Sequence, residues 1–337
     1  MLRRIVLALV ALTALTACST ATGPQVGAGT AAVVGNATIS TDLVEARLRT
    51  ALPVLVDALN QQAQEEGRQS PALDAPTLAV QSRALLGLAI QHQIVLEATR
   101  RQGIVVDPAR VEAQVAAAGG AQSTATTGLD LDALRDLVSD QLALAEIGRR
   151  EFDRLQVTVD VGTFGDKASA ERAATQLASD PGVGPLAALP PGMQILDRTV
   201  RPGNAQSDAV IRTPSSPIFG LPGRTVALLS PQQQQSTPGA PTPDPTTQPW
   251  TVIRVRDRSL AAPAPTGNTV PSALVDARTL AQFGRRAVQP LAAELGVQVN
   301  PRYGTWDPTQ DEVVAPPAAA GSIIPLAPSV AFAPTAP

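Results

Sequence analysis

Val297-Gln298-Val299-Asn300 decides the fold, together with the run before it, in which Leu274, Ala277, Leu280, Gly284, Val288, Leu291 and Leu295 share one helical face. One helix and one short strand cannot bury an apolar face by themselves. The segment just upstream has a different character, so the natural partner is the far N-terminal part of the chain. The pattern therefore predicts that the chain returns, with Val297–Asn300 pairing beside Ala31–Ile39.

Working outward, Ala31–Ile39 reads as two apolar runs around Gly35-Asn36, a pair suited to a tight hairpin. Ser40 or Thr41 can cap a helix carrying Leu43, Leu48, Leu52, Leu55, Val56 and Leu59, with Pro53 as a kink. A second helix is predicted over Thr77–Gln102 and ends at Gly103. Asp107-Pro108 opens a short third helix, and Leu131–Arg154 is a fourth, striped by Leu134, Val138 and Leu142. The middle changes period. Val157–Val161 alternates like a strand, Ala168–Ala178 is helix-like, and Thr225–Leu229 and Trp250–Val255 are strand-like. Pro-rich breaks fall at Thr237–Pro249 and Ala261–Pro271.

Met1-Leu2-Arg3-Arg4 precedes an almost wholly apolar run from Ile5 to Leu15. That run is shorter than the about 20 residues needed to span a bilayer, so it reads as a secretory signal. Leu15-Thr16-Ala17-Cys18 matches the lipobox of bacterial lipoproteins, and the match implies a mature chain that begins at a diacylglyceryl-bearing Cys18. Cys18 is also the only cysteine, so the chain has no internal disulfide to make. Without Arg3 and Arg4 the 26 basic residues become 24 against 29 acidic, about −5 in net charge. That balance argues against nucleic acid as a partner. Aromatic residues are 2% of the chain, too few for a sugar platform or a base-stacking surface.

Three stretches resemble one family. Ala31-Ala32-Val33-Val34-Gly35-Asn36-Ala37-Thr38-Ile39-Ser40, followed by Asp42-Leu43, is similar to the start of SurA/PrsA-type extracytoplasmic chaperones. Ile94-Val95-Leu96-Glu97-Ala98-Thr99-Arg100-Arg101-Gln102-Gly103-Ile104 resembles their second helix and its turn. Asn300-Pro301-Arg302-Tyr303-Gly304-Thr305-Trp306 resembles the end of PrsA-like foldases and of actinobacterial lipoproteins with a SurA N-terminal domain. The resemblance implies an α+β, mainly α fold: a split helical, SurA-N/trigger-factor-like peptide-binding domain closed by the C-terminal helix and strand, with a small α/β parvulin-like domain inserted. The segments are then 1–17 signal peptide, 18–30 lipidated tether, 31–155 helical domain and 156–258 parvulin-like unit. A linker at 259–271, the closing helix and strand at 272–306, and a disordered tail at 307–337 complete the chain.

Ser216-Pro217-Ile218-Phe219-Gly220 and Trp250–Val255 look like the closing part of a parvulin, but active parvulins of this type keep ring histidines near the substrate proline. The one histidine here is His92, in a helix. It reads more readily as a polar-face or interface residue than as a proton switch. A single histidine also leaves no Ser-His-Asp arrangement or metal set to assemble. Asp130 with Asp132, and Asp136 with Asp140, read as a solvated helix start and face. No catalytic residue, metal site or cofactor is assigned. Tyr303 and Trp306 are candidates for lining a peptide crevice, or for anchoring the returning strand on the helical core. Arg302 beside them is placed to meet a carboxylate of the helical part.

The resemblance points to a chaperone or foldase, anchored to the outer face of the cell membrane, that holds unfolded or nascent exported polypeptides. An active peptidyl-prolyl isomerase and an adaptor for a single envelope partner are the alternatives. The lipobox gives the first test. Protein extracted from membranes should exceed the mass of the chain from residue 18 by an acylated glyceryl group; an unmodified, freely secreted chain would overturn the lipid assignment.

Overall fold

A computed structural model of the chain describes residues 26–67, 73–180, 182–207, 213–231, 248–260, 269–315 and 320–327. Cys18 and the segment 1–17 expected to be a signal peptide lie outside the described residues, as do most of the two Pro-rich breaks. The fold is mixed α and β, with helix predominating.

The hairpin β1 (Thr30–Val34) and β2 (Ala37–Ser40) turns at Gly35-Asn36. The Ser40 hydroxyl accepts from the Leu43 N–H and starts α1 (Thr41–Glu65), which runs on through Pro53. Asp74 caps α2 (Ala75–Gln102), and Gly103 closes it in the left-handed conformation. Asp107 caps α3 (Pro108–Ala117), with Pro108 at its first position. A short turn, α4 (Thr124–Thr127), leads to α5 (Leu131–Glu151), capped by Asp130. The middle segment supplies β3 (Gln156–Phe164), α6 (Lys167–Ser179), α7 (Gly184–Ala187), β4 (Gln194–Val200), β5 (Thr225–Leu229) and β6 (Trp250–Ser259). The chain returns through α8 (Ala277–Leu295) and β7 (Val297–Val299).

The predicted closure is present. β7 lies antiparallel beside β1, with Ala32 opposite Val299 and Val34 opposite Val297, giving the order β2-β1-β7. The Asn300 side chain adds a bond to the Thr30 carbonyl at 2.9 Å.

The expected disordered tail from 307 is corrected over 307–315 and 320–327. β8 (Thr305–Asp307) and β9 (Glu312–Val314) form a hairpin, and β10 (Ser322–Pro325) pairs with β5 as the edge of a five-stranded sheet, β10-β5-β6-β3-β4. The physical reason is a buried carboxylate. Asp307 accepts from the Thr309 N–H at 2.8 Å and hydroxyl at 2.6 Å, from the Gly321 N–H at 2.8 Å, and from the Ser230 hydroxyl at 3.3 Å. Hydrogen bonds to an ionisable group outweigh the low hydrophobicity of the Pro/Ala-rich surroundings.

The segment from β3 to β6 has only part of a core to itself. Alternate residues point to opposite faces of a strand. Ala227, Leu229, Ile253 and Val255 join Ile90, Ile147 and Phe283 in the main core, whereas Val226, Leu228, Trp250 and Val252 pack with Ala170, Ala174 and Leu177 of α6. The sheet is thus the middle layer of three. Phe283 of α8 sits edge-on to Phe152 and Phe219 at centroid distances of 5.2 and 5.9 Å, joining helices and sheet.

α5 and α8 touch backbone to backbone. A Cβ at Gly148 would overlap the Leu280 carbonyl, and one at Gly284 the Leu144 carbonyl. Gly148→Ala or Gly284→Ala should therefore cost about 1–3 kcal/mol through overpacking. Gly87→Ala, in helix α2 with open space at its Cβ, should instead stabilise by roughly 0.5–1 kcal/mol. Thermal midpoints of the three variants test this; equal destabilisation by all three would refute the close contact.

Candidate functional site

Two clefts open on this frame. The first, about 940 Å³, forms where the chain leaves α8. Its floor is the end of α8 and β7, with Ala292, Val297 and Val299. One wall is the turn from Pro301 to Gly304 with β8, and the other is Ile323 and Pro325 of β10 beside Thr225. Gly304 is needed here: its φ is +139°, and a Cβ would collide with the Val314 carbonyl.

Tyr303 and Trp306 both line this cleft. Tyr303 is only 6% exposed and belongs to the main core; its hydroxyl is buried without a hydrogen-bond partner among the described residues. Trp306 is half-buried and packs on the same core. Each thus anchors the returning segment and walls the cleft at once. Arg302 lies over the Tyr303 ring at 5.7 Å and reaches Glu45 of α1 at 3.4 Å, the carboxylate that sequence could not name. Arg83 of α2 enters the lining too, and among the described residues no acidic side chain does.

The second cleft, about 610 Å³, lies among α2, α3, α5 and α8. His92 of α2 meets both carboxylate oxygens of Asp140 of α5 at 3.0 Å, and its other ring nitrogen is 3.8 Å from Asp136. Asp136 in turn accepts from Arg47 of α1 at 3.4 Å. Reading Asp136 and Asp140 as one solvated face needs correction: the Asp136 side chain is 40% exposed, but that of Asp140 only 14%. Burial disfavours the ionised carboxylate, and a neighbouring cation such as protonated His92 favours it. The hydrogen bond to Asp140 pushes the His92 pKa up, and burial pushes Asp140 up despite His92. Both shifts say that the pair holds a proton to higher pH than either group alone. Asp130 and Asp132 do form the helix start, Asp130 as cap and Asp132 exposed beside Arg135.

A third polar cluster, on β3 and β6, escaped sequence reading because its members are distant in the chain. Buried Asp160 meets Arg254 at 2.6 and 2.8 Å and Arg256 at 3.1 Å, and accepts from the Asp197 N–H at 2.8 Å. Both carboxylate oxygens are engaged, which suits a structural ion pair. Among the described residues no group of three or more His, Cys, Asp or Glu is arranged to hold a metal ion, and no helix is long and apolar enough to cross a membrane. No protein-family model matches the chain, and no curated protein matches it.

The His92 pair gives a pH prediction. A histidine with a raised folded pKa contributes stability that is complete below about 6.5 and is lost as pH rises through the folded value. Asp311, buried and raised to about 6, changes with the same sign but at lower pH and apart from His92. The melting midpoint of the wild type should exceed that of His92→Gln most at pH 6, and the gap should shrink by pH 8.5. A gap that is constant or widens with pH would contradict the ion pair.

Proposed function

We propose that the protein is a chaperone, anchored by lipid on Cys18 to the outer face of the cell membrane, that holds unfolded or nascent exported polypeptides. The observation that carries this reading is the first cleft: an apolar, roomy groove walled by Tyr303 and Trp306 and bordered by three edge strands, β7, β8 and β10. Such a groove offers apolar surface and strand edges to an extended chain without covalent chemistry or a cofactor. The SurA/PrsA-like frame belongs to the same proposal. In it the helical domain is split and closed by α8 and β7, and the segment from β3 to β6 takes the place of the parvulin-like unit.

The isomerase alternative meets a specific difficulty. Rotation about an imide faces a barrier of ~18–20 kcal/mol, and the family's active members bring histidines to the proline. This chain's histidine is on α2, engaged with Asp140 across to α5.

Two assays on the full chain in detergent separate the readings. The wild type should slow aggregation of an unfolded client at near-stoichiometric ratio, and Trp306→Ala should weaken that effect. It should barely accelerate cis-to-trans relaxation of a proline tetrapeptide. Strong catalysis would favour the isomerase, and failure to slow aggregation would favour the single-partner adaptor.

A further inference from the structure

β7 has one occupied side and one open side. In an antiparallel ladder, residues that exchange both backbone hydrogen bonds alternate with residues that exchange none. The Asn300 N–H donates to the Ala31 carbonyl at 2.9 Å, and the Gly296 carbonyl accepts from the Gly35 N–H at 3.2 Å. With Gln298 opposite Val33, residues 296, 298 and 300 therefore face β1. The N–H and C=O groups of Val297 and Val299 must point the other way. Both residues are half-buried and line the first cleft, and among the described residues these backbone groups have no partner. Unpaired strand groups at a partly dry edge are a template for another strand.

Charge narrows the occupant. Among the described residues Arg83 and Arg302 are the charged residues of the lining, with no aspartate or glutamate beside them, in a chain whose formal net charge is −3. Arg302 is held by Glu45, whereas Arg83 has no ion-pair partner among the described residues. Ile323 and Trp306 provide the apolar surface for side chains that alternate along an added strand.

From this we infer that the cleft takes one extended polypeptide segment as a strand added to the open edge of β7, with apolar side chains at alternate positions and a flanking acidic side chain that meets Arg83. The inference rests on the chaperone reading and names its substrate class.

The test uses the full chain in detergent and a fluorescent heptapeptide of alternating valine and threonine, acetylated and amidated, with glutamate at one end. N-methylation of alternate residues removes the N–H groups of one edge only. One phase should weaken binding about tenfold, the equivalent of losing one or two hydrogen bonds, and the other phase should change it little. Replacing the peptide's glutamate by glutamine, or making Arg83→Gln, should each weaken binding several-fold, and the two together no more than either alone. Equal loss from both methylation phases would overturn strand addition, and insensitivity to Arg83→Gln would overturn the acidic anchor. A peptide without glutamate but with a free chain end that binds as tightly would also overturn the side-chain assignment. If the peptide fails to bind while client aggregation is still slowed, the inference falls and the chaperone reading stands.

Discussion

The carboxylate of Asp307 is the constraint on which the cleft depends. It is buried, and it gathers backbone and hydroxyl donors from three places: its own turn, the chain just before β10, and the end of β5. A buried carboxylate without such donors would carry a large desolvation cost. Its position therefore fixes β8, β10 and β5 together, and two walls of the first cleft are set by one side chain. Neighbouring groups extend the clasp to the helices. Gln91 of α2 and Arg285 of α8 both donate to the Asp311 carbonyl at 2.9 Å, and Arg286 of α8 donates to the Ser215 carbonyl at 2.9 Å. The hairpin after β7 is thus the joint between helical layer and sheet.

The sheet shows the same economy. Period-two alternation lets β5 and β6 serve two cores, one shared with the long helices and one with α6. Helix α8 then bridges, its glycine side pressed to α5 and its Phe283 wedged between Phe152 and Phe219. Splitting the chain into independent bodies would expose one face of the sheet.

Much of this was legible because local rules and the global fold agree. Ser40, Asp107, Asp130 and Gly103 announce helix ends by chemistry that acts within a few residues. The pairing of β7 with β1 was legible by exclusion, since an apolar helix and strand had no other partner. What escaped has a common cause. β4 lacks a clean alternation because it is an exposed edge whose register slips opposite Asp160, where Asp197 takes a positive φ and is tied in by Arg256 and Asp160. β10 is four residues in a Pro/Ala-rich context, and its place depends on Asp307. His92 and Asp140 are 48 residues apart on different helices, so neither carries a local sign of the other. Tyr303 and Trp306 stand out by rarity of type, but that they both anchor and line the cleft follows from packing between segments distant in the chain.

The order in which the strands occur along the chain has its own consequence. β1 sits at the centre of its sheet, yet one of its neighbours is β7, and Ala32 waits for Val299. β5 likewise waits for β10. A polypeptide is made from its amino end, so until residues 297–325 follow, β1 and β5 each have one edge of backbone N–H and C=O groups unpaired. Contacts this distant in sequence close late and slowly. The growing chain is therefore exposed to aggregation until residues 297–325 arrive, and closure of both sheets is a single event in which β7, the hairpin and β10 arrive almost together.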